Sequence, residues 1–281
     1  IEKWRAKALD EGKATATVNK EVTLLKSVFN RAVEWGVISA NPLANVKSLK
    51  VDKSGIVRYL GDEEETALLK ALEDREETAR KERDSANVWR SEREYDLLPD
   101  LRATAFVDAL RPVVLLSLNT GLRRGEVFHL RWEDVELDRA MLTVRGKTAK
   151  SGQTRHVPLN SVALDALTKW HAQTDGAGVV FKSTKTGNRL DNLQTSWEGV
   201  LTEAKIEHFR WHDMRHHFAS RLVMNGVDLN TVRDLLGHSD IKMTLRYAHL
   251  SPAIKQNAVE RLVRKPGKVV QFPKGKREAG A

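Results

Sequence analysis

Apolar residues recur at helical spacing along most of this chain, and the period changes in one main window, between residues 140 and 160. In the stretch "TVNKEVTLLKSVFNRAVEW", Val18, Val22, Leu25, Phe29, Ala32 and Val33 share one stripe, and Gly36 is placed to stop the helix. The segments "ALRPVVLLSLNTG", "GEVFHLRWEDV", "SVALDALTKWHAQ", "WHDMRHHFASRLVMNG", "DLNTVRDLLGH" and "SDIKMTLRYAHL" carry the same helical period. Within the window, "AMLTVRG" and "TRHVPLN" are short β-like runs around "KTAKSGQ", which reads as a hairpin with a polar, basic tip; "GVVFKS" reads as a further short strand. The expected class is mainly α with a small antiparallel β-sheet, an α+β arrangement.

The chain divides by composition. Residues 1–50 read as a helical domain, 51–57 as a polar linker after the turn at Asn41-Pro42, 58–262 as a larger domain and 263–281 as a basic tail. Residues 61–100 hold 14 acidic and 7 basic residues, so the rest of the chain carries +16 against +9 overall. A basic body with an acidic insert, about residues 74–104, points to a polyanionic partner, with nucleic acid first. A helix opened by Asp62 as an N-cap continues into this charged segment, which reads as a solvated helix or loop. The 281 residues contain no cysteine, which removes disulfides, thiol nucleophiles and thiolate metal sites. The same absence fits a reducing cytoplasm, and no apolar run reaches membrane-spanning length and no signal peptide is visible.

Reactive side chains collect in four segments. In "NTGLRRGEVFHLRW", Arg123 stands three residues before Glu126, at a spacing that serves either a surface ion pair or an oriented guanidinium. In "KTAKSGQTRHVPL", Lys150 lies on the hairpin tip, as a proton donor, a phosphate contact or a solvated charge. In "WHDMRHHFAS", His212 and Arg215 share a helix face. His212 and His216 are also spaced like metal ligands, but HDMRH is not HExxH and places an arginine between them, so zinc is rejected. In "LLGHSDIKMTLRYAHL", Gly237 ends one helix and His238 sits in the turn. Ser239 is placed to cap the next helix, and Tyr247 falls more than two turns along it. His208, His216, His217 and His249 read as packing or phosphate-contact residues.

These four segments, in this order and spacing, resemble the motifs of the tyrosine recombinases, the phage-integrase family. The resemblance covers residues 56–255, and residues 15–50, ending in "NPLANVK", resemble the latter half of that family's core-binding domain. It implies a tyrosine-recombinase catalytic domain preceded by part of a helical core-binding domain, with an arm-type DNA-binding domain missing or cut away. Arg123 and Arg215 match the catalytic arginines, Glu126 their acidic helper, Lys150 the hairpin lysine, His212 the histidine of the HxxR pair, His238 the later histidine and Tyr247 the nucleophile.

The resemblance further implies strand cleavage and rejoining through a 3′-phosphotyrosyl link, with no cofactor and no metal. His212 is expected as proton acceptor and Lys150 as general acid. The expected partners are double-stranded DNA attachment sites, a homo-tetramer on DNA and accessory DNA-bending or directionality proteins. The element moved would be a prophage or genomic island. A type IB topoisomerase-like enzyme and a DNA-binding protein without catalysis are the rival readings.

Overall fold

The computed structural model describes residues 1–51, 57–146, 152–183 and 186–250. Lys150, linker residues 52–56 and the basic tail lie outside the described residues. The chain forms two compact units, one within Ile1–Ile56 and one within Val57–Ala281.

The first unit pairs α1 (Glu2–Asp10) with α2 (Thr15–Glu34), and Gly36 follows in the left-handed region at φ 70°. Val18 and Val22 are buried, whereas Leu25, on the same stripe, is 40% exposed. The nine residues of α1 are too short to cover the second half of α2. The segment after α2 is tied back by polar side chains. Asn19 exchanges two hydrogen bonds with the backbone of Leu49, at 2.9 and 2.8 Å, and Asn41 Nδ2 donates to the Lys26 carbonyl at 3.1 Å.

The second unit opens with α3 (Asp62–Ser91), 30 residues long. Gly61, not Asp62, holds the N-cap position, and Glu64 reaches back to accept its N–H at 3.0 Å. The acidic insert is largely this one helix plus a return segment, and it is not solvated throughout. Glu76 is fully buried, accepting from Arg111 Nη1 at 2.8 Å and the Val107 N–H at 3.3 Å. Arginines of α3 fasten the return segment: Arg83 donates to the Pro99 carbonyl at 2.6 Å and Arg80 to that of Ala105 at 3.2 Å. Arg102 in turn pairs with Glu77 and Asp84.

Next come α4 (Leu110–Thr120) and α5 (Arg124–His129), followed by strands β1 (Val135–Glu136), β2 (Met141–Val144) and β3 (Arg155–Pro158). The strands form one antiparallel sheet in the order β1-β2-β3, with Leu142 opposite Val157 and Val144 opposite Arg155. The expected mainly helical class with a small antiparallel sheet is what the chain adopts. Two expectations change here. The segment "GEVFHLRWEDV" is a six-residue helix followed by a 3-10 turn, not one helix. Residues 178–183 form only isolated bridges, Arg131 to Val179 and Lys182 to Arg189, because no neighbouring strand continues the ladder.

The chain closes with α6 (Ser161–Ala172), α7 (Gln194–Glu203), α8 (Asp213–Met224), α9 (Leu229–Leu236) and α10 (Lys242–Leu245). Helix α4 is buried against α6 and α8, and its Pro112 sits in the first turn, where no intrahelical donor is lost. The main core runs through Leu110, Val113, Leu116, Leu142, Val157 and Leu167. A second apolar cluster joins α8 and α9 to the turn after α10, the C-terminal turn of the described residues, through Ala219, Val223, Val232, Leu236 and Tyr247.

Candidate active site

Three helix ends and one short turn meet at a cavity of about 410 Å³. Helix α4 stops at Gly121, whose φ of 62° lets the chain reverse, and Arg123 follows at the N-cap of α5. Glu126, three residues into that turn, accepts the Arg123 backbone N–H at 2.8 Å and its Nη1 at 2.9 Å. The spacing noted in the sequence therefore gives an oriented guanidinium against a buried carboxylate.

Helix α8 begins after His212, where Asp213 accepts the Arg210 N–H at 2.7 Å. One turn on, Arg215 is 3% exposed and donates to the carbonyls of Gly121 at 2.8 Å and Leu236 at 2.6 Å. These are C-terminal carbonyls of two other helices, left open by their intrahelical ladders. Burial, and next the Arg123 charge, push the Arg215 guanidinium down to about 9, so it stays charged at neutral pH. His212, His238 and Tyr247 face the same cavity. Five of the six residues expected to act on substrate are thus brought together, Glu126 supports them from behind, and Lys150 lies outside the described residues.

The helix expected to carry Tyr247 is different in shape. It is only four residues long, Lys242–Leu245, and Ser239 does not cap it. Tyr247 lies past its end, where its N–H reaches back three residues to Thr244, a tightened turn. That turn directs the ring into the α8–α9 cluster, leaving Tyr247 1% exposed. Its hydroxyl and His216 Nδ1 share a hydrogen bond at 2.6 Å. The hydroxyl's hydrogen bond goes to His216 and not to His212, the residue expected to take the proton; the His212 ring meets His216 edge-on, with centroids 5.1 Å apart.

Burial raises the Tyr247 phenol, with the Arg215 and Arg246 charges pulling it back. Burial also lowers the histidines. His216 falls to about 4, helped by His212 and Arg246, and His238 to about 3, helped by Arg215 and Arg123. His212 is lowered by burial and then by Arg215. All three imidazoles are neutral at neutral pH. His238 Nδ1 pairs with the Thr244 hydroxyl at 2.9 Å, which leaves its Nε2 free to carry the N–H.

Four contributors are not marked as such in the sequence. His216 and Thr244 hold the tyrosine and His238, and Arg246 adds a third guanidinium to a cavity wall that carries no carboxylate among the described residues. Arg155 on β3 grips Glu126 and also donates from Nε to the Leu235 carbonyl at 3.0 Å. The HDMRHH run does signal His216 by its offset of four from His212, but along the chain that offset reads only as metal spacing. Nothing local marks Arg155.

Residues 99–253 match the sequence model of the phage integrase family, and residues 1–50 that of the phage integrase N-terminal domain. The chain belongs to the phage integrase family. Among its relatives, the integrase of Salmonella phage P22 is 33% identical over 155 residues, which is 52% of this chain and 40% of that protein. A tyrosine recombinase XerC from Corynebacterium efficiens is 29% identical over 254 residues, 88% of this chain and 72% of the relative. The fold is shared with the Tn1549 transposon integrase, solved in complex with a circular intermediate DNA, at a TM-score of 0.66 and 20% identity, covering 93% of this chain and 84% of that one. It is also shared with a lambda integrase dimer bound to a core site, at a TM-score of 0.60 and 20% identity, covering 85% and 77%. No helix among the described residues is long and apolar enough to cross a membrane.

Proposed function

We propose that this phage-integrase chain is a site-specific DNA strand transferase, with Tyr247 as its nucleophile. The observation that carries the reading is the convergence of Arg123, His212, Arg215 and His238, from separate segments, on the cavity that Tyr247 also lines. A cavity lined by three guanidiniums, with no carboxylate among the described residues of its wall, favours a phosphodiester.

In this reading the phenolic oxygen attacks phosphorus, and the bond to the 5′ oxygen breaks. Negative charge gathers on the non-bridging oxygens, where Arg123, Arg215 and the Nε2–H of His238 donate hydrogen bonds. His212 stands at the start of α8 as a further donor. Lys150 protonates the departing 5′ oxygen. A 5′ hydroxyl from another strand then reverses the step. The phosphodiester energy is conserved in the phosphotyrosyl link, so the scheme requires neither ATP nor a metal ion.

Residues 1–50 act as part of a core-binding domain and 58–262 as the catalytic domain, on double-stranded attachment sites in the cytoplasm. The active form is a tetramer on DNA, assisted by accessory DNA-bending or directionality proteins. A mobile element such as a prophage or genomic island is the cargo.

The test is incubation with nicked suicide duplexes and denaturing electrophoresis. The wild-type chain is expected to form a covalent 3′ adduct, and Tyr247→Phe to bind the same duplex without one. An adduct that survives in Tyr247→Phe would remove the nucleophile assignment. Lys150→Ala is expected to cleave slowly and to recover on a duplex with a better 5′ leaving group.

A further inference from the structure

We infer that His216, and not His212, is the catalytic residue that accepts the Tyr247 proton as the tyrosine attacks DNA. The inference rests on the strand-transfer reading above and assigns one of its proton transfers. It stands on geometry. His216 Nδ1 lies 2.6 Å from the phenolic oxygen, inside general-base reach. Both rings are held in place: Tyr247 by the α8–α9 apolar cluster, and His216 by its position in the first turn of α8, four residues after His212.

The charge of the His216 ring is set by the surroundings. On its own element His216 faces His212, Asp213 and Arg215, and from the C-terminal turn it faces Arg246, Tyr247 and His238. The nearby charges are mostly positive, and burial adds to them in disfavouring an imidazolium. The resting ring is therefore neutral, and in the proposed step its proton sits on Nε2, so that the Nδ1 lone pair accepts from the hydroxyl. When phosphate enters the cavity its negative charge offsets the arginines, and the cost of forming the imidazolium falls.

The step balances. The O–H bond of Tyr247 breaks and its proton moves to His216 Nδ1. The phenolic oxygen bonds to phosphorus, the bond to the 5′ oxygen breaks, and that oxygen takes a proton from the opposite side of the phosphate. In rejoining, the His216 proton returns to the departing phenolate. His212, edge-on to His216, acts as a positioning residue for this ring.

The experiment uses the full chain and a nicked duplex recovered from a randomised pool by covalent capture on the wild type. Single-turnover cleavage is measured from pH 5 to 9 for the wild type, H216N and H216Q. Asparagine and glutamine offer the hydroxyl an oxygen but cannot carry its proton. The expected result is a loss of about 100-fold at pH 7 with DNA binding retained. The variants' rates should then climb by about tenfold per pH unit while the wild type stays flat.

Fluorotyrosine in place of tyrosine, which lowers the phenol pKa, should restore much of the variants' rate and change the wild type little. Should neither variant fold, fluorotyrosine in the wild type decides alone, since a large acceleration there would mean that no base is in place. Variant rates near wild type, or lowered rates with a parallel pH profile and no fluorotyrosine rescue, would overturn the proton-acceptor role. Failure of the wild type to capture any duplex would instead remove the strand-transfer reading itself, and this inference with it.

Discussion

Arg155 grips both carboxylate oxygens of Glu126, at 3.0 and 2.7 Å, from the strand that faces the α5 turn. The same carboxylate orients Arg123, and Arg155 also holds the Leu235 carbonyl in the last turn of α9. One buried ion pair thereby joins the hairpin, the first arginine and the turn bearing His238.

Glu126→Gln is expected to destabilise the chain by about 3 kcal/mol, because it leaves two guanidiniums around a neutral amide in a buried place. Burial pushes the Glu126 carboxyl up, but the Arg155 hydrogen bond and the Arg155 and Arg123 charges hold it below its ordinary 4.5. A depressed carboxyl stabilises the fold fully above its unfolded value and loses that contribution as pH falls through the folded one. Acid unfolding below pH 4.5 should thus lose part of its steepness in Glu126→Gln, as urea melts across pH 3 to 7 will show.

Arg155→Lys keeps the charge but cannot reach two carboxylate oxygens and a carbonyl with one ammonium. We expect a loss of about 1–2 kcal/mol in thermal melts. Cleavage should slow while DNA affinity holds, since Arg155 does not line the cavity. In combination with Glu126→Gln the losses should be less than additive.

Gly237→Ala tests the turn between α9 and His238. Gly237 adopts φ 64°, and a Cβ there would lie 2.9 Å from Arg155 Cδ. The left-handed conformation alone costs about 1–2 kcal/mol for a residue with a side chain. Displacement of His238 and Arg155 should lower single-turnover cleavage by more than the drop in melting temperature would imply.

His217 governs stability in weak acid. Its Nδ1 accepts the Leu60 N–H at 3.2 Å, which an imidazolium cannot do. Burial, and then the Arg221 charge, lower it to about 4 from the ordinary 6.5. The unfolded chain therefore binds this proton first. The stability is fully present above pH 6.5 and declines as pH falls towards about 4. His217→Asn keeps an acceptor without the titration, so its stability should vary less across that window in denaturant melts.

Glu76→Ala should cost about 3 kcal/mol, because Arg111 would lose its buried partner beside α3. A loss near zero by urea melt would mean that the acidic helix is only an appendage of the core.

Much of this arrangement could be read before folding was considered. Arg123 and Glu126 meet because three residues is nearly one helical turn, and His212 and Arg215 share a face for the same reason. The hairpin showed in the change of period at "AMLTVRG". Glu76 did not show, since a buried glutamate inside an acidic run looks like its solvated neighbours until Arg111, 35 residues away, is placed beside it. The helix expected through Tyr247 failed because the periodicity continues past Leu245 while the backbone tightens at Thr244.

The amino-acid sequence by itself determined which reactive side chains the chain holds and which neighbours share a helical turn, because those relations depend only on residue type and local geometry. Tertiary structure decided that His216 meets the Tyr247 hydroxyl, that Thr244 orients His238 and that Arg155 locks Glu126. Those contacts depend on how α8 crosses the C-terminal turn and on which register places Arg155 opposite Val144. Both are set by packing of the whole core, and no interval along the chain encodes either.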